Sequence, residues 1–359
     1  MDFNPLALPP LMTAELPGIG GRIKVAPEDF DVEEIPAYEP SGSGDFLYLW
    51  VEKRAMGADY FVRLVARRLE ILPGEVGTAG LKDRHAVTRQ WLSVPAKVAD
   101  RVERLNDEEA IKILEVKRHV NKLKPGHLRG NRFRILIRDT DPSADARLQP
   151  LLDRLGRAGL PNYYGPQRFG KDGETVQLGL SLLRGEPAAN SQARSRVSPF
   201  LRRLALSAAQ SALFNHYLAG RLAEGLLGRV LMGDVMAKWP VGGLFVADDL
   251  PREQARFDSR ETVHTGPIFG RKMFAAKTEA AERETAVLSA AGLSLESFRG
   301  FGKLLQGTRR HNLVYVDDLT AARDSSGIRL TFTLPAGSYA TTLLHEIMKS
   351  DHPPAGEEA

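Results

Sequence analysis

The stretch NRFRILIR, residues 131–138, limits the fold more than any other part of this chain. Phe133, Ile135 and Ile137 alternate with Arg132 and Arg134, and Arg138 falls in the arginine phase. A period of two puts the apolar side chains on one face of a β-strand and the cations on the other. The chain must therefore build a sheet that is covered on one side. The arginine face is available to a polyanion.

Both element types recur along the sequence. Residues 1 to about 20 read as an extended, proline-punctuated lead-in, and from GRIKVAPEDFDVEEIP (21–36) onward short β-favouring runs alternate with helices. ADYFVRLVARRLEIL (58–72) is an amphipathic helix stopped by Pro73 and Gly74. QWLSV (90–94) and AIKILEV (110–116) read as strands, 145–158 has helical spacing, and LPNYYGPQRFG (160–170) is a Gly/Pro/aromatic loop. PAANSQARSRVSP (187–199) is linker-like. A long helical stretch (200–231), turn-rich sequence and an alanine- and glutamate-rich helix near 274–291 follow. Strand character resumes near NLVYV (312–316) and IRLTFTL (328–334), and Ser338 is placed to cap the closing helix YATTLLHEIMK. The tail SDHPPAGEEA is expected to be disordered. A strand-and-helix core, an interruption and a return to strand and helix is the pattern of an inserted domain. It predicts a discontinuous core of residues 1–186 and 315–359 with an insertion over 187–314.

At 359 residues the chain exceeds one typical domain, and 43% hydrophobic with 26% charged residues is ordinary globular composition. There is no cysteine, so disulfides, thiolate zinc sites, iron–sulfur clusters and cysteine nucleophiles are excluded together. The N-terminus has two acids and no base before Gly18, which is not a signal peptide, and no apolar run reaches the length of a membrane span. A soluble protein of the cytoplasm is the expectation.

Several familiar motifs fail. Gly302-Lys303 is followed by Leu304, which breaks a phosphate loop, and GIGGRI (18–23) lacks the last glycine of a dinucleotide fingerprint. HEIMK (345–349) has Lys349 where a zinc protease has its second histidine, and no GxSxG elbow occurs.

The net charge is only +4, but the pI is about 9.2 and the cations are clustered. KRHVNKLKPGHLRGNRFRILIR (117–138) holds eight Lys or Arg residues and no acid. It is either a solvated β-hairpin with charged edges or a surface for phosphates. A solvated face normally mixes signs, so nucleic acid is favoured, with Lys122, Lys124, Arg129, Arg132 and Arg134 as phosphate contacts. Arg194, Arg196, Arg202 and Arg203 form a second basic group. A cleft between core and insertion, basic on both walls, would suit folded RNA. In PNYYGPQRFG, Tyr163, Tyr164 and Phe169 offer rings for unpaired bases, although Phe169 reads as a core plug, and the amide of Asn162 matches the donor and acceptor edges of uracil.

AGLKDRHAVTRQW (79–91) contains a single carboxylate, Asp83, between Lys82 and Arg84, and the nearest acids along the chain are Glu75 and Asp100. GLKDRHAVTRQ (80–90), PNYYGPQRFG (161–170), KVAPEDFDVEEI (24–35) and LPAGSYATTLLHE (334–346) resemble the signature segments of the TruD family of tRNA pseudouridine synthases. The four lie in the family's order, and the insertion is typical of it. The resemblance implies an α+β pseudouridine-synthase-like core, a mixed and mainly antiparallel sheet flanked by helices, carrying a large α/β insertion. It implies isomerisation of a uridine in tRNA, position 13 in the bacterial family, by one catalytic aspartate and no metal or other cofactor. Residue by residue, Asp83 falls on the catalytic position, and Phe30, Asn162 and Tyr339 on substrate-contacting ones. Lys24, Glu28, Lys82, Gln167 and Arg168 match further motif positions. Tyr164 and Tyr339 stand where the family often has Phe, and an aromatic face is retained at both.

That chemistry explains a lone acid. Moving uracil from N1 to C5 attachment on the same ribose needs no redox partner, water or external energy, only one ionised nucleophile or base. A second carboxylate would add repulsion near the phosphates, whereas Lys82, Arg84 or Arg168 can keep Asp83 ionised under RNA. The target base must be flipped out, and Phe30, Tyr164 and Tyr339 can sandwich it. On the residues alone, Phe30 reads as a buried strand residue, and His85 more as a loop-fixing group than as a base. The expected partner is tRNA, with no membrane, and the expected state a monomer. The rivals are a non-catalytic RNA-binding or RNA-folding protein and a phosphoryl-transfer enzyme with an aspartyl intermediate.

Overall fold

The computed structural model describes residues 2–106, 110–186 and 197–350. Arg194 and Arg196 of the second basic group, and the tail after Ser350, lie outside the described residues. The chain begins its sheet with β1 (Gly20–Arg22) and β2 (Phe30–Pro36), then runs through β3 (Phe46–Arg54), α1 (Ala58–Leu69), β4 (Gly77–Thr78), β5 (Val87–Pro95), β6 (Ile111–His119), β7 (Leu128–Thr140) and α2 (Ala144–Ala158). Next come β8 (Leu160–Pro161), α3 (Glu174–Arg184), α4 (Pro199–Ala223), β9 (Val235–Lys238), β10 (Leu244–Val246), α5 (Leu250–Asp258), β11 (Thr262–Ile268), α6 (Thr278–Ala290), β12 (Thr308–His311) and β13 (Leu313–Val314). The chain closes through β14 (Thr320–Asp324), β15 (Gly327–Pro335) and α7 (Ala340–Met348).

Two compact units emerge. One comprises 16–156, 316–340 and 347 onward; the other comprises the lead-in to Glu15, 157–315 and 341–346. The border on the N-terminal side is therefore at 156/157, before the 186/187 expected. Its cause is the packing of α3 on α4. Gly179 has no side chain, and a Cβ there would meet the Ala205 carbonyl at 2.0 Å. Val176, Leu180 and Leu183 are buried in one cluster with Leu206, Ala209 and Leu213.

The first unit holds the sheet predicted from NRFRILIR. Its strands run β14-β15-β7-β2-β5-β3-β6, with β1 on β7 and β4 on β5. Among the described residues the β2–β5 pair is parallel, and the remaining pairs of this sheet are antiparallel. The fold is thus the expected α+β class, a mixed and mainly antiparallel sheet flanked by helices. On β7 the apolar phase is buried and stacks onward: Phe133 lies 5.2 Å from Phe332 of β15 with the rings nearly parallel, and 6.2 Å edge-on from Phe30. Further along the sheet Phe61, Leu64, Val65 and Leu69 of α1 cover Leu47, Leu49, Val51, Leu92 and Val94.

The basic run 117–138 is not a hairpin. β6 is the edge strand on β3, while β7 lies inside the sheet between β15 and β2, so the run carries the chain from an edge to the interior. The sign mixing absent along the run is supplied across strands. Register pairs Asp31 of β2 with Arg134 and Glu33 with Arg132. Arg134 reaches Asp31 at 3.2 Å and Glu33 at 3.3 Å, and Arg89 of β5 reaches Asp31 and Glu52 at 2.9 Å each. Burial alone would raise the Asp29 carboxyl, but its two bonds from Arg138, at 2.7 and 2.9 Å, and one from the Ala26 amide hold it below the usual range.

In the second unit β10-β9-β11-β12 form an antiparallel sheet. The helix expected over 200–231 starts on the Ser198 hydroxyl, which accepts from the Leu201 amide. It stops at Ala223, because Gly225 at φ 71° turns the chain and the Leu226 amide returns to the Arg221 carbonyl. Arg221 then pairs with Asp234 through two bonds of 2.7 and 2.8 Å, both side chains being buried. Glu346, from the HEIMK stretch, anchors the lead-in by accepting from the Met12 and Thr13 amides at 2.8 and 3.0 Å. No described helix is long and apolar enough to cross a membrane.

Phe332 is fully buried between Phe133 and its neighbours. Replacing it by alanine is expected to cost about 3–5 kcal/mol. Urea unfolding followed by the fluorescence of Trp50 and Trp91, which lie in the same unit, measures it.

Candidate active site

Strand alternation on β2 decides what reaches Asp83. Asp31 and Glu33 point to the arginine face, so Phe30, Val32 and Glu34 point to the opposite, buried one. Glu34 is 1% exposed and receives the Lys82 ammonium at 2.6 Å; its second oxygen accepts from the Trp91 amide at 3.3 Å. Lys82 thereby pins the loop between β4 and β5 immediately before Asp83. Its ammonium is engaged by Glu34, with the side chain 3% exposed.

Asp83 keeps 30% of its side chain exposed, and its Oδ1 accepts from Lys24 Nζ at 2.8 Å. The same ammonium sits 4.5 Å from the centre of the Phe30 ring. Lys24 adopts a left-handed backbone, φ 56°, in the loop between β1 and β2. A side chain held there is strained by roughly 1–3 kcal/mol, a cost tolerated where geometry matters. A residue that sequence reading passed over is Lys53. It is buried, donates to the Met56 carbonyl, and reaches the Asp83 carbonyl at 3.3 Å. Period two on β3 would have revealed it, because Leu49, Val51 and Lys53 share the inward phase. Glu34 carries the same signal, a charge in an apolar phase.

Phe30 is 1% exposed, in keeping with a core residue. Tyr339 is half-buried in the turn between β15 and α7. His85 and Arg84 are exposed, and Glu28 pairs with Arg54. Lys24, Phe30, Lys82 and Asp83 are thus brought together within one unit.

Asn162, Tyr164 and Arg168 form a cluster in the other. Its organiser is Arg310 of β12, also unforeseen. Arg310 Nε donates to the Asn162 carbonyl at 2.9 Å and Nη2 to Asn162 Oδ1 at 2.7 Å, while its guanidinium lies 4.1 Å from the Tyr164 ring centre. Asn162 Nδ2 donates to the His311 carbonyl at 3.0 Å, which fixes the amide's orientation. Burial, and then the Arg310 charge, push the His311 imidazole down to about 4, so it is neutral at neutral pH. Asn215 clamps the Tyr164 backbone through bonds of 2.8 and 2.9 Å. Arg168 bonds Ser211 at 3.2 Å and Ser207, and its guanidinium is 5.7 Å from the Tyr164 ring. Tyr163 and Phe169 are buried plugs.

The expected phosphate contacts divide. Lys124 and Arg129 are exposed, and their side chains make no hydrogen bond or ion pair among the described residues. Lys122 donates to the Gly74 carbonyl. Arg132 and Arg134 are ion-paired, and they stand on the sheet face opposite Phe30 and Glu34.

Removing one partner of the Lys82–Glu34 pair leaves a buried charge. Lys82→Met is expected to cost about 3–5 kcal/mol, and adding Glu34→Leu to restore most of it. Urea midpoints of the single and double variants decide.

The sequence model of the family described as tRNA pseudouridine synthase D (TruD) matches residues 10–191 and 180–347. The tRNA pseudouridine synthase D of Anaeromyxobacter sp. (strain Fw109-5) is 45% identical over 341 residues, covering 95% of this chain and 96% of its own. That of a Thermus thermophilus strain is 42% identical over 356 residues, covering 98% and 96%. A crystal structure of the putative tRNA pseudouridine synthase D from Methanosarcina mazei superposes with a TM-score of 0.76 at 25% identity, covering 96% of this chain and 97% of that one. On matches that run nearly end to end in sequence and in fold, the chain belongs to the TruD family of tRNA pseudouridine synthases.

Proposed function

We propose that this isomerase converts uridine 13 of tRNA to pseudouridine with Asp83 as its catalytic group. The observation that carries the reading is the state of that side chain: a partly exposed carboxylate whose oxygen is bonded by Lys24 at 2.8 Å, on a loop pinned by a buried ion pair. A carboxylate with an ammonium at hydrogen-bond distance is stabilised as the anion, the form that attacks or takes a proton. In the reaction the N1–C1′ bond breaks and a C5–C1′ bond forms. The C5 proton is lost and N1 gains one, so the sum is an isomerisation.

Tyr339 is assigned to the target nucleotide, and Asn162 and Tyr164, with Arg168 supporting the Tyr164 ring, to RNA bases; Phe30, expected as a substrate contact, is 1% exposed and instead seats the Lys24 ammonium. Stacking on such rings contributes about 1–3 kcal/mol per base, against a few kcal/mol for flipping the nucleotide out. Lys24 acts on Asp83, and Lys82 acts through Glu34 by fixing the loop. For phosphates, Lys124 and Arg129 are the exposed candidates and Lys122 the next; Arg132 and Arg134 would first have to leave Asp31 and Glu33. The site so described would lie in the cytoplasm, where tRNA is modified.

Asp83→Asn tests the assignment. tRNA binding should persist, and release of tritium from C5-labelled uridine should stop; unchanged release would defeat it. A non-catalytic RNA-binding protein would show binding without release in the wild-type chain as well. Sequencing for pseudouridine after incubation with unmodified tRNA locates the position.

Arg310→Ala should lower kcat/KM by about 10- to 100-fold by releasing Asn162 and Tyr164 from register. Arg310→Lys should not restore it, because an ammonium cannot span a carbonyl, an amide oxygen and a ring as the planar guanidinium does. Steady-state kinetics on one tRNA transcript check both.

A further inference from the structure

Lys53 is a cation in the wrong place for solubility. It sits on the inward phase of β3 among Leu49, Val51 and the α1 residues, and it is 1% exposed. Burying an ammonium is expensive unless polar groups replace its water. Here the replacements are specific. Nζ donates to the Met56 carbonyl, in the turn between β3 and α1, and to the carbonyl of Asp83 at 3.3 Å. The ring of Phe61 lies 5.9 Å away. The Ala55 amide also donates to the Ala86 carbonyl at 3.0 Å, so these two loops are tied together next to the ammonium.

Asp83 is therefore gripped both at its carboxylate and at its carbonyl. Lys24 holds the carboxylate from a side chain that is 11% exposed, and Lys53 holds the carbonyl of the same residue from the core. The two grips differ in kind. Lys24 stands on a loop and bonds the reacting oxygens, so its bond must change when Asp83 reacts. Lys53 bonds the Asp83 carbonyl from a side chain that is 1% exposed, so that backbone bond and the buried charge can persist while the carboxylate reacts.

We infer that Lys53 is a positioning residue for Asp83: its buried ammonium fixes the backbone from which the carboxylate projects and keeps a positive charge behind it. This rests on the reading of Asp83 as the catalytic group. A charge in a low-dielectric core acts on a neighbouring carboxylate more strongly than one in water. A fixed backbone also removes the small displacements that are costly in catalysis.

The experiment is a kinetic comparison of Lys53→Met, Lys53→Gln and Lys53→Arg, each checked for folding by circular dichroism. Lys53→Met keeps the stem and loses the charge. The expected result is a kcat lower by about 100-fold, as for a misplaced catalytic group, with KM for tRNA within about twofold, since no contact with RNA is removed. A folded Lys53→Met with wild-type kcat, or one whose loss lies in KM, overturns the inference. If Lys53→Met does not fold, the other two variants decide. Arginine restores a buried cation and glutamine only a donor, so kcat should be higher for Lys53→Arg than for Lys53→Gln; equal values overturn it. Asp83→Asn is run alongside. Should that variant keep full activity, the underlying reading fails, whatever the lysine variants show.

Discussion

The two faces of β2 are the constraint on which the rest of the first unit depends. Its odd-numbered acids, Asp31 and Glu33, neutralise arginines of β5 and β7 on one side of the sheet. Its even-numbered residues, Phe30 and Glu34, face the buried side, where one meets the Lys24 ammonium and the other holds Lys82. A register slip of one residue would exchange these sets and put three carboxylates and a phenyl ring in the wrong surroundings. The parallel partner β5 and the antiparallel partner β7 fix that register from both edges.

Much of this was legible in the sequence. Alternation in NRFRILIR and IRLTFTL marks β7 and β15, which the fold pairs, and the amphipathic run 58–72 marks α1, which ends at Leu69. Phe169 was readable as a plug. What escaped has a common physical origin: partners that are distant in the chain. The basic run 117–138 contains no acid of its own, so it looked like a free cationic surface. The counter-charges of Arg132 and Arg134 lie on β2, about a hundred residues earlier, and register alone brings them together. Arg310 has no local signal, because its value lies in a fork that meets Asn162 from another strand.

Lys53 and Glu34 are a different kind of miss. Each stands in the apolar phase of a strand, where a charge contradicts the pattern, and each proves to fix the loop that carries Asp83. Places where local rules are broken tend to be sites where function is held in position. The unit border at 156/157 escaped for a plainer reason. The contact of α3 with α4 depends on the bare backbone of Gly179, and an isolated glycine in a helical pattern does not announce what it is making room for.

The distance between β7 and β15 also governs how the protein can be made. Ile135 pairs with Leu330, so a ribosome delivers everything from β8 to β14 before the inner strand of the sheet acquires its second neighbour. Until then the nascent β7 offers one bare row of amides and carbonyls, the kind of edge on which chains join wrongly. Arg132 and Arg134 lie along that row. The segment synthesised in the interval can meanwhile collapse around its own helices, so the part that starts first is completed last.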